Sequence, residues 1–176
     1  MMKKLLTTTI LAATVGLSFN ALAAPGDFAS DSFRWGGDIP LLGADGGLVL
    51  TPVGGGDFQS GSLDFVEGGA TGQYALRSSS QIGVLVTDSS SVPVTDFNIE
   101  QQSLTFSVGA AGAQPVDLTT PEFKLIADGT PMVQKTSQTI TGTNQVDLQI
   151  EGGATEITAT PGDTVTVEAL VLFTQN

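Results

Sequence analysis

From residue 46 onward, apolar side chains recur at every second position. Val165, Val167, Ala169, Val171 and Phe173 alternate with Thr166, Glu168, Leu170 and Leu172. Val146, Leu148 and Ile150 repeat the pattern, as do Ile82, Val84 and Val86, Leu104 and Phe106, and Leu63 and Phe65. A period of two is that of a strand, whose successive side chains point to opposite faces. No window places apolar residues at i, i+3, i+4 and i+7 over three turns of a helix. The spacing predicts strands within residues 46–55, 61–68, 72–88, 97–109, 122–129, 131–135, 144–153, 155–160 and 162–176. Gly, Pro, Asp and Ser clusters separate them at intervals of roughly 8–12 residues, the rhythm of an antiparallel sandwich. Asp128 and Gly129 read as a hairpin turn. Too few helical patterns lie between the strands for a parallel α/β sheet, and no fixed-period repeat is visible.

Residues 1–23 break this rule. Lys3 and Lys4 precede an apolar stretch, and Ala21, Leu22 and Ala23 form an A-x-A site, the three-part pattern of a secretory signal peptide. The stretch is too short and too rich in threonine for a membrane span. Cleavage after Ala23 leaves a chain of ordinary single-domain size beginning "APGDF". Only Arg34, Arg77, Lys124 and Lys135 then stand against 18 acidic residues. That balance argues against nucleic acid, which requires a basic face, and against anionic membrane surfaces.

The sequence has no cysteine and no histidine. An exported chain without cysteine must be held by core packing and sheet hydrogen bonds. Without either residue there is no Ser-His-Asp triad, no Cys-His pair and no ordinary zinc site. The expectation is a protein without catalysis, cofactor or metal. Eighteen acids always contain some pair, so a two-carboxylate glycosidase signal carries little weight; single acids on turns and polar faces read as solvated surface. "GADGG" (43–47) and "GGGD" (54–57) read as turns, lacking any calcium-loop spacing. Tyr74, the one tyrosine, reads as a sheet residue.

The two ends of the mature chain carry the remaining signal. The last strand runs almost to residue 176. At the other end, "GDFASDSFRWGGDIPLL" (26–42) holds the sole tryptophan. Phe33, Trp35, Gly37 and Ile39 fall on one side there; Ser32, Arg34, Gly36 and Asp38 fall on the other. The tryptophan therefore belongs to a strand-like pattern.

With signal peptide, size and all-β composition, these ends resemble a chaperone–usher fimbrial subunit, and within that superfamily the cysteine-free kappa class. Gly26, Asp27 and Phe28, then Gly36, Gly37, Asp38 and Ile39, match pieces of that class's N-terminal motif. Phe33 and Trp35 stand where smaller aliphatic residues are common, and the spacer "ASD" (29–31) is about one residue longer. Gly162 is fifteenth from the end rather than fourteenth; the penultimate residue is Gln175, and Phe173 takes the place of the usual aromatic.

The resemblance implies an incomplete immunoglobulin-like sandwich in residues 42–176, preceded by a donor-strand extension in residues 24–41. It implies that Phe33, Trp35, Gly37 and Ile39 insert into a neighbouring subunit. Val165, Val167, Ala169, Val171 and Phe173 then border the groove that a chaperone strand, and later another subunit's extension, would fill. Strand addition of this kind takes affinity from backbone hydrogen bonds and register from alternate side chains. The implied partners are a periplasmic chaperone, an outer-membrane usher and neighbouring fimbrial subunits. The implied location is a cell-surface fimbrium reached through the periplasm, and the implied role is that of a minor structural or adhesive subunit, the chain being much shorter than large adhesive subunits. The competing expectation is a secreted carbohydrate-binding sandwich without catalysis, and for residues 26–42 an ordinary first strand.

Overall fold

The computed structural model describes residues 47–55, 57–59 and 61–176. The expected signal peptide, the extension in residues 24–41 and its residues Phe33, Trp35, Gly37 and Ile39 lie outside the described residues. The described part is all-β, consistent with a sandwich, and has no α-helix; its one helical turn is a short 3-10 turn at Val53–Gly55. Twelve strands follow in chain order: β1 (Val49–Pro52), β2 (Leu63–Glu67), β3 (Gln73–Ser79), β4 (Ile82–Thr87), β5 (Asp96–Val108), β6 (Gln114–Pro115), β7 (Phe123–Ala127), β8 (Thr130–Pro131), β9 (Ser137–Thr141), β10 (Gln145–Gly152), β11 (Ile157–Thr158) and β12 (Val165–Gln175).

Every pairing among the described strands is antiparallel. One sheet has the order β1-β4-β10-β7-β8, a second β11-β3-β2, and a third β12-β5-β6, with β9 also on β5. The hairpin expected at Asp128 and Gly129 joins β7 to β8. Ala127 faces Thr130, and both turn residues have positive φ, 47° and 75°, as a two-residue type I′ turn requires.

The inward positions of all three sheets meet in one core. Phe123 of β7 is its hub. It packs edge-on against Phe106 of β5, with ring centroids 5.3 Å apart, and against Phe65 of β2 at 6.2 Å. One ring therefore touches side chains from the two other sheets, and such edge-to-face pairs add about 0.5–1.5 kcal/mol beyond the area they bury.

Two adjustments let the strands share this core. The first is a bulge in β5. Leu170 of β12 faces Ser103 and Val171 faces Gln101, so Gln102 has no opposite residue. The extra residue shifts the inward phase: Phe97, Ile99 and Gln101 are buried before it, Leu104 and Phe106 after it. The second joins β3 to β10. Their backbones do not form a ladder; instead the Ser79 hydroxyl donates to the Ile150 carbonyl (2.8 Å) and accepts from the Ile150 N–H (3.0 Å). The Gln149 side-chain amide adds a bond to the Ser79 carbonyl at 3.1 Å.

Candidate partner-binding edge

The C-terminal strand alternates as its sequence requires. Val165, Val167, Ala169, Val171 and Phe173 are all buried, while Thr166, Leu170 and Leu172 are half-buried and Glu168 is exposed. Phe173 stacks on Phe97 of β5 with ring centroids 6.0 Å apart. Burying a valine- or phenylalanine-sized side chain contributes about 1.5–3 kcal/mol, so this face anchors β12 firmly. One backbone edge of β12 pairs with β5 from Val165 to Gln175. No described strand pairs with the other edge.

This edge differs from the others. Among the described strands at sheet edges, β1 has four residues, β2 and β9 five, and β6, β8 and β11 two each. β12 has eleven. Natural sheets protect their edges with short strands, proline, lysine or bulges. β12 contains no proline and no lysine, and its only charge is Glu168. Its burial alternates without interruption, because the extra residue of the nearby bulge belongs to β5. In an antiparallel strand about half the backbone N–H and C=O groups point toward each side. The second edge of β12, unpaired by any described strand, therefore carries a long run of donors and acceptors on a strand whose side chains are already fixed.

Gln101 lies one strand in from this edge. It is 4% exposed, the buried polar residue of the described part, and its Oε1 has no hydrogen-bond partner. Its backbone is satisfied on the far side, where the Lys135 N–H donates to its carbonyl at 2.8 Å. A buried acceptor without a donor costs about 1–3 kcal/mol, so this oxygen marks unmet bonding capacity on the core face. The sequence offered no signal for it. Strict alternation through "FNIEQQSLTFSVG" sets Gln101 on the opposite face from Leu104 and Phe106, and only the bulge brings all three inward.

A cavity of about 530 Å³ opens where β10 leaves the sheet and β11 rejoins β3. Phe65, Phe123 and Ile150 form its apolar side, and Tyr74, Gln149, Glu122 and Glu151 line it as well. Its rim is tied by local bonds. Glu156 accepts from the Gly69 N–H at 3.0 Å, and Glu122 accepts from the Asp117 N–H at 3.3 Å. The Asp117 carboxylate accepts in turn from the Thr119 and Thr120 N–H groups, which hold its pKa below the usual carboxylate value. Arg77 pairs with Asp64 across β3 and β2. Tyr74, read from sequence as a sheet residue, lies in β3 and packs against the core. Among the described residues, no three carboxylates converge as a metal site.

No family model, no curated protein and no solved structure matches the chain.

Proposed function

We propose that this chain is a non-catalytic structural or adhesive subunit of a chaperone–usher fimbria that polymerises by donating and accepting a strand. The observation that carries this reading is the second edge of β12: eleven residues long, chemically unprotected and unpaired by any described strand. Strand order supports it. With β1, β4, β5, β7, β10 and β12 taken as successive strands A to F, one sheet follows the order A-B-E-D and the other pairs F with C. With β2 and β3 set aside in their own sheet, this order matches the one expected of an immunoglobulin-like sandwich, in which a strand G would lie beside F, and so supports the reading. No described strand occupies that place.

The proposed donor is the segment bearing Phe33, Trp35, Gly37 and Ile39, taken from a second copy. In this reading a periplasmic chaperone first covers the β12 edge, and at an outer-membrane usher the segment of another subunit replaces it. An apolar strand edge left uncovered is an aggregation site, which is the physical reason for a chaperone. Large exposed aromatic rings would favour the carbohydrate-binding alternative. The exposed large apolar side chains of the described part are instead Val49, Val53, Val92, Leu118 and Val133.

The test is assembly. The mature chain (residues 24–176) should form linear polymers, measured by size-exclusion chromatography and electron microscopy. Trp35→Ala should weaken each junction by roughly 3–5 kcal/mol, the cost of truncating a buried large aromatic, leaving short oligomers. Unchanged polymer length would contradict insertion of that side chain.

A further inference from the structure

We infer that the cavity between β3 and β10 is a binding site for an organic cation, specifically a protonated amine on an apolar stem. The inference stands apart from the strand-accepting reading of β12, and neither depends on the other.

The cavity exists because two neighbouring strands are not zipped together. The Ser79 hydroxyl holds β3 to Ile150 of β10, but no ladder joins the two strands. The space beside them, about 530 Å³, is of the size that small-molecule sites occupy. Its β10 wall includes Gly152 and Gly153, so two successive positions there carry no side chain to fill it. Its apolar surface is largely aromatic: the half-buried Phe65 and Tyr74 line it together with Phe123.

Charge selects the ligand. Glu122, Glu151 and Glu156 line the cavity against one cationic side chain, Arg77, and that guanidinium is paired with Asp64. Glu156 is held in place: its carboxylate accepts from the Gly69 N–H at 3.0 Å and lies against Gly68, where any side chain would collide with it. Glu122 uses one oxygen on the Asp117 N–H at 3.3 Å. Glu151 is exposed and faces Lys124 across the ladder, but Lys124 does not line the cavity. An anion is repelled by this wall, and again by the formal net charge of −12 on the whole sequence. A bare metal ion is not held, because among the described residues no three carboxylates converge on one point. A cation on an apolar stem satisfies both walls. The stem lies on aromatic rings, whose faces attract cations, and the ammonium donates to the carboxylates.

The experiment is isothermal titration calorimetry of residues 24–176 with n-pentylammonium chloride, using 1-pentanol and sodium pentanoate as neutral and anionic controls with the same stem. The amine should bind one site with a Kd of roughly 1 mM or below, and each control at least about tenfold more weakly. Glu151→Gln and Glu122→Gln should each weaken the amine about three- to tenfold, and Tyr74→Leu by a similar factor. Glu151 is exposed, so its variant tests the site without disturbing the core. Asp96→Asn, at an exposed position of β5 that does not line the cavity, should change the affinity by less than about twofold. A capped Gly-Lys-Gly peptide separates two sources of the same chemistry. Binding at least as tight as that of the free amine identifies the lysine side chain of a protein, and weaker binding identifies a small free amine. Pentanol binding as tightly as the amine would overturn the inference, as would unchanged amine affinity in both glutamate variants. Absence of saturable binding up to about 10 mM amine would overturn it as well.

Discussion

Gly153 sits where no side chain fits. A Cβ built there would collide with the Pro121 carbonyl oxygen. The Gly153 N–H donates to the Glu122 carbonyl at 2.7 Å, and the Thr155 N–H donates to that of Pro121 at 3.2 Å, so neither backbone can retreat without losing a bond. Gly153→Ala should destabilise the domain by about 1–3 kcal/mol or more, as overpacking does, measured by urea denaturation with unchanged slope. The sequence shows Gly152 and Gly153 only as punctuation at the end of an alternating run. That one of them is required by a close backbone approach is a fact of tertiary packing. Gln101 is the same kind of case: a polar residue among polar residues in sequence, a lone buried acceptor in space.

At the scale of elements, the apolar alternation marked the long strands. β4, β10 and β12 lie where Val84 and Val86, Val146 to Ile150, and Val165 to Phe173 place them, and all these odd-even patterns reappear as burial. Strands held mainly by neighbours escaped notice. β9, with the sequence SQTIT, buries only Ile140, and β6 is the dipeptide Gln114 and Pro115; neither carries an apolar period. β8 ends after Thr130 and Pro131, so the run 131–135 does not continue as a strand; the Met132 N–H still bonds the Leu125 carbonyl at 2.9 Å, after which the chain turns at Lys135, with φ 59°. The join between β3 and β10 is the least visible element contact, because a serine hydroxyl replaces a ladder. Ser79→Ala should leave the buried Ile150 amide without a partner and cost about 1–3 kcal/mol. Thermal unfolding should register that loss, and Ser79→Thr, which restores the hydroxyl, should recover part of it.

At the scale of the whole molecule, a chain without cysteine gathers three sheets on one apolar core and keeps one long edge unmatched by any described strand. Sequence alternation marked the core face of β12; the alternation it shows at residues 33–39 lies outside the described residues. It could not reveal that β5 is the one described strand beside β12, since that depends on which strands fold next to it. The account's central claim is that this edge takes a strand. The most direct measurement is the melting temperature of residues 24–176 with the segment disabled by Phe33→Asp, Trp35→Asp and Ile39→Asp, with and without a synthetic peptide of residues 24–40. At a peptide concentration about 100 times Kd, binding adds about 2.7 kcal/mol, which for a domain of this size raises Tm by about 5–11 °C. The account predicts that rise with the native peptide and none with a peptide carrying Trp35→Asp. An unchanged Tm across peptide concentrations up to the millimolar range would contradict it.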